Sequence, residues 1–157
     1  MRRIPVFLAV GLIWLSPSSK SEAQDAKARR SDFVVKVNVE AGKPEPDGLQ
    51  TLTVTLKVDD SWHIYANSLP KDFPGVATSV KVNAKANLEE VKIDYPEGKW
   101  IKEADYKAFE GTVPIKVKFR RSKGDESPLE VVVAFQACTK TSCLFPVTVK
   151  QTVPSNP

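Results

Sequence analysis

Hydrophobic residues recur at every second position along most of this chain, the period of a half-buried β-strand. From Asp32 to Val39, Phe33, Val35, Val37 and Val39 share one face, with Val34, Lys36 and Asn38 on the other. From Leu49 to Val58, Leu52, Val54, Leu56 and Val58 repeat the pattern. Between them the run Gly42-Lys43-Pro44-Glu45-Pro46-Asp47-Gly48 is rich in turn formers. Trp62–Ala66 is a short aromatic strand candidate; Ser79–Ala84, Leu88–Ile93, Thr112–Phe119, Leu129–Ala137 and Leu144–Val153 are the others. Residues 67–75, with Pro70 and Pro74, read as irregular, and residues 94–111 as one long connection. Residues such as Glu89 and Glu90 are expected on opposite faces of their strand, so they form no acid–base pair. No amphipathic helix is apparent. About eight short strands with Gly, Pro and Asp punctuation predict an all-β, antiparallel sandwich of immunoglobulin-like type. A small closed barrel has the same alternation and stays open as the alternative.

The N-terminus breaks this pattern. Met1-Arg2-Arg3 precedes an apolar run from Ile4 to Leu15, then Ser16-Pro17-Ser18-Ser19 and the small-residue pattern Ser21-Glu22-Ala23. This is the layout of a secretory signal peptide, residues 1–23, with cleavage expected after Ala23. The apolar run is about 12 residues, short of the ~20 a spanning helix needs. No stable membrane insertion is expected after cleavage; an uncleaved signal would instead tether the domain. Residues 24–31 read as a disordered lead-in and residues 32–154 as the folded domain.

With 41% hydrophobic and 27% charged residues, the chain has the composition of one globular domain with a real core. Its net charge of +4 is partly carried by the leader, and elsewhere lysines and glutamates are interspersed. That is a solvated strand face, not a nucleic-acid footprint, and no nucleic-acid partner is expected.

The chain has two cysteines, Cys138 and Cys143, separated by Thr139-Lys140-Thr141-Ser142 between two strand-like runs. A hairpin turn over that linker would put them at facing ends of neighbouring strands, within reach of a disulfide. Export favours oxidation. Spacing and composition leave the bridge's purpose open. A structural staple is the commoner use, yet a six-residue loop gains only about 2 kcal/mol from closure. There is no Cys-x-x-Cys, no adjacent histidine, and only Lys140 as a nearby cation, so an ordinary thiol pKa is expected. Such a thiol suits a carrier that exchanges electrons better than a primary oxidant. His63 is the only histidine. With two cysteines it gives at most three of the four ligands zinc needs, so no metal or cofactor is expected.

The segment Phe135-Gln136-Ala137-Cys138 … Cys143-Leu144-Phe145-Pro146 resembles the periplasmic N-terminal domain of the thiol–disulfide reductant transporter DsbD. Trp62-His63-Ile64-Tyr65, Tyr95-Pro96-Glu97-Gly98-Lys99-Trp100 and Thr112–Val117 are similar to further segments of that family. The resemblance covers nearly all of the chain after the leader. It implies an immunoglobulin-like fold and a redox-active pair in which Cys143 forms mixed disulfides and Cys138 resolves them. It implies thioredoxin-fold redox proteins as partners, in the periplasm. Tyr65 and His63 would line the site, and a cap loop near residues 100–109 would cover it through Tyr106 or Phe109. Phe145 would contact partners. The family transporter carries a membrane domain and a thioredoxin-like domain in the same chain. Here the electron donor is therefore expected to be a separate membrane protein. The competing reading is an immunoglobulin-like binding or adaptor module with a purely structural disulfide.

Overall fold

The computed structural model describes residues 29–154; the expected signal peptide lies outside them. The alternating segments form an antiparallel β-sandwich. The first sheet holds β1 (Val35–Ala41), β2 (Leu49–Val58), β8 (Thr112–Arg120) and β5 (Glu89–Asp94), in the order β1-β2-β8-β5. The remaining strands are β3 (His63–Tyr65), β4 (Ser79–Asn83), β6 (Lys99–Ile101), β7 (Tyr106–Phe109), β9 (Leu129–Phe135), β10 (Ala137–Cys138) and β11 (Val147–Val153). They form a three-stranded sheet, β11-β9-β4, and a four-stranded one, β10-β3-β7-β6. Every described sheet ends in strands without a further neighbour, so the fold is an immunoglobulin-like sandwich rather than a closed barrel.

Alternation builds the core. Leu52, Val54 and Leu56 on β2, Ile115, Val117 and Phe119 on β8, and Leu129, Val131 and Phe135 on β9 are all fully buried in one cluster. The outward residues of β8, Thr112, Pro114, Lys116 and Lys118, are exposed. Pro114 sits inside β8 opposite Thr55, where β5 has not yet joined, so its missing N–H breaks no ladder bond on that side.

Four expectations need correction. Phe33 does not share the face of Val35; residues Ser31–Phe33 form a 3₁₀ turn that leaves its ring 58% exposed. Ser31, assigned to the lead-in, is completely buried and bonded into the domain. Glu89 and Glu90 do not alternate regularly. A bulge shifts the register between Glu89 and Lys92, with Glu90 in the left-handed region at φ 51°. Finally, residues 94–111 are not one loop. They contain the β6–β7 hairpin, whose three- and four-residue strands are too short to show a period of two.

Candidate functional site

The strand predicted through Ala137 breaks at Gln136, and this break creates the site. Up to Phe135 the chain pairs with β11 and β4; from Ala137 it pairs with β3, as Ala137↔Ile64 and Cys138↔His63. After Cys138 it turns sharply. Thr139 N–H donates to the Ser142 carbonyl at 2.8 Å, and Thr139 Oγ1 accepts from the Ser142 N–H at 3.1 Å. Cys138 and Cys143 face each other as an antiparallel bridge and are joined by a disulfide. Their Cα atoms lie 4.0 Å apart, closer than the hairpin expectation because the turn pinches the two arms together. The two cysteines are not equivalent: Cys138 is 1% exposed, whereas Cys143 is an exposed residue.

Three residues clamp this hairpin from outside it. Ser31 Oγ donates to the Phe145 carbonyl at 2.8 Å and accepts the Ala137 N–H at 2.9 Å, tying one arm to the other. Gln136 Nε2 donates to the Leu144 carbonyl at 3.0 Å, while its Oε1 accepts the Val76 N–H at 3.0 Å. Tyr65 reaches up from β3, its hydroxyl 3.3 Å from Cys138 Sγ and 3.4 Å from Cys143 Sγ. A disulfide sulfur has no proton, so the phenol is the donor. Burial, with Tyr106 adding to it, raises the Tyr65 pKa, which keeps that proton in place.

Aromatic rings close the site. Tyr106 packs edge-on against Tyr65 at 5.0 Å between centroids, and Phe73 packs on Tyr65 at 5.2 Å and on Tyr106 at 5.3 Å. His63 stacks on Tyr106 at 6.1 Å, and its Nε2 is 3.2 Å from the Tyr106 hydroxyl. Burial lowers the His63 pKa; Glu110 opposes that shift and Lys99 adds to it. A cleft of about 690 Å³ opens beside these rings, with Asp59, Asp60, His63, Tyr106 and Lys140 among its walls.

The sequence therefore brought together Cys138, Cys143, Tyr65, His63 and Tyr106. Phe109 is elsewhere: at 3% exposure, paired with Ile64, it belongs to the hydrophobic core. Phe145 lies just past the pair with its side chain 62% exposed, held by its main chain to Ser31 and Arg29. Ser31, Phe73 and the bonding role of Gln136 were not foreseen. Gln136 stood in the quoted cysteine segment, whereas nothing local marks Ser31 or Phe73. Among the described residues, no group of three or more His, Cys, Asp and Glu side chains is placed to hold a metal.

An immunoglobulin-like sandwich with one asymmetric cysteine pair at a hairpin tip defines a class, the all-β thiol–disulfide exchange domains. The family described as thiol:disulfide interchange protein DsbD, N-terminal, matches residues 30–155, and the chain belongs to it. No curated protein sequence matches. Among solved structures, the reduced N-terminal domain of DsbD from Neisseria meningitidis is similar, with 16% identity and a TM-score of 0.52. That match covers 80% of this chain and 89% of the other. The N-terminal periplasmic domain of ScsB from Proteus mirabilis matches with 15% identity and a TM-score of 0.62. It covers 79% of this chain and 48% of the other, so the chain spans about half of that one. At these identities the likeness is one of fold.

Proposed function

We propose that this chain is an exported thiol–disulfide exchange domain that passes electrons to thioredoxin-fold proteins of the periplasm through Cys143 and Cys138. The observation that carries this reading is the asymmetry of the pair: Cys143 is exposed and Cys138 is buried. In the reduced domain, the Cys143 thiolate attacks the acceptor's disulfide. One acceptor sulfur leaves as a thiolate and a mixed disulfide forms on Cys143. The Cys138 thiolate then attacks Cys143 Sγ, the intermolecular bond breaks, and the acceptor departs as a dithiol. Two electrons and two protons have moved, and the Cys138–Cys143 disulfide is restored. A membrane reductase returns the two electrons. Tyr65, His63 and Tyr106 line the site, and Phe145 offers an exposed apolar contact beside the attacked sulfur. Phe109 has no direct part.

Export rests on the leader-like residues 1–23; the mass of the mature N-terminus, expected to start after Ala23, tests it.

The exchange reading is tested with single cysteine variants and a thioredoxin-fold partner. Cys138→Ser should accumulate the mixed disulfide, because nothing resolves it, and Cys143→Ser should form none. Exchange that persists in Cys143→Ser removes the assignment. The pair's reduction potential should fall between about −270 and −180 mV, the range of proteins that turn over. A potential below about −300 mV would identify a structural bridge and return the chain to the adaptor reading.

A further inference from the structure

Cys138 is 1% exposed, so water has little access to its sulfur. A thiol becomes a nucleophile only after losing its proton, and burial by itself favours the protonated form. A resolving cysteine in this place needs a base beside it. Along the chain no histidine stands near the cysteines, but the sheet supplies one. Cys138 and His63 are directly opposed on β10 and β3. Side chains so paired share a face, with Cβ atoms about 4.5–5.5 Å apart. Tyr65, two residues on, shares that face, its hydroxyl 3.3 Å from Cys138 Sγ. The phenol donates there and keeps its proton, so it is not the acceptor.

His63 is half-buried and lines the cleft of about 690 Å³, which gives its ring a route to solvent. Its Nε2 lies 3.2 Å from the Tyr106 hydroxyl. With Nε2–H donated to that oxygen, Nδ1 carries the lone pair. The other charged groups facing this ring are poorer acceptors. Lys99 and Glu110 are paired with each other at 3.1 Å, Glu110 favouring the imidazolium and Lys99 opposing it. Asp59 and Asp60, on the turn before β3, line the cleft, and carboxylates are weaker bases than imidazole. Lys140, from the cysteine linker, is a cation.

We propose that His63 is the general base of the resolving step: its Nδ1 takes the Cys138 thiol proton, and the Cys138 thiolate then attacks Cys143 Sγ in the mixed disulfide. The intermolecular S–S bond breaks and its electron pair leaves with the partner's sulfur, which takes a proton from solvent. The imidazolium returns its own proton through the cleft. In the closed disulfide neither sulfur carries a proton, so this contact forms only once the bridge has opened. The inference deepens the exchange reading above and rests on it.

The test uses the reduced protein and dithiobis-nitrobenzoate. Cys143 thiolate releases one coloured thionitrobenzoate and holds the other as a mixed disulfide, which Cys138 then expels. The second phase of colour therefore reports the resolving step. His63→Gln should slow that phase, relative to the first, by about tenfold or more near neutral pH. The rate should recover at higher pH, where hydroxide takes the proton instead. His63→Phe keeps a ring against Tyr106 but has no basic nitrogen, and should behave as the glutamine variant does. It also gives the same readout should the glutamine variant not fold. A second-phase pH profile unchanged by either substitution would overturn the proposal. So would an equal slowing of both phases at every pH, since the role would then be structural. No protein partner enters this measurement. Failure of the exchange reading shows separately, as absence of exchange between the parent protein and a thioredoxin-fold partner.

Discussion

At the scale of single residues, the site is a set of polar atoms placed against two sulfurs by strands that the core holds rigid. Tyr65 is the clearest case, because its neighbour Ile64 is fully buried and fixes the strand from the other face. His63 is the residue whose charge changes nearest neutral pH. Burial disfavours its imidazolium, so its folded-state pKa lies below the ordinary 6.5 while the unfolded chain keeps the ordinary value. The unfolded chain therefore takes the proton first. Stability is full above pH 6.5 and declines as pH falls below it, until the folded-state pKa is passed. Asp47, Glu97 and Asp125, whose pKa values are lowered by Arg120, by Lys107 and by hydrogen bonds from Ser127, lose their contributions only below about pH 4. The two windows separate. Urea midpoints measured as a function of pH should show a decline just below pH 6.5 that His63→Gln removes, leaving the acid limb intact. A curve unchanged by that substitution would mean that another group titrates there.

At the scale of elements, the cysteine hairpin is held by its neighbours more than by its own strands, since β10 is only two residues long. Ser31 matters most among these because its one hydroxyl serves both arms. Ser31→Ala would leave the buried Ala137 N–H without its partner, at a cost of about 1–3 kcal/mol. Urea unfolding should register that loss, and amide exchange at Ala137 should speed up by more than at the centre of β9. A neutral substitution with unchanged exchange would show that Ser31 does not carry the clamp. Gln136 plays the matching part on the far side, joining the Leu144 carbonyl to the Val76 loop that presents Phe73.

At the scale of the whole molecule, stability and redox chemistry reside in separate places. The buried cluster of β2, β8 and β9 contains neither cysteine, and Tyr65 is outside it too. Closing a six-residue loop contributes about 2 kcal/mol, less than the roughly 3–5 kcal/mol of one buried phenylalanine such as Phe119. The reduced protein should therefore remain folded and unfold in a single transition. Its urea-derived stability should lie within about 2 kcal/mol of the oxidised form. Unfolding on reduction alone would make the bridge a staple and count against a pair that cycles.

What the sequence determined by itself was whatever depends on local period and composition. The boundaries of β2 were legible to the residue, because ten positions alternate without a break. The cysteine hairpin was legible because its turn residues and both arms are contiguous. Tyr65 and Tyr106 were found through the family resemblance rather than through any pattern. Tertiary structure alone decided the rest. Phe109 and Tyr106 lie three residues apart on one strand, and only the sheet they join sends one ring to the core and the other against Tyr65. Ser31 and Phe73 lie 106 and 63 to 70 residues from the chain they serve, counted to Ala137 and to the Gln136–Cys143 segment respectively. A contact at such separation leaves no local mark, because it exists only once burial of the core has brought the two segments together.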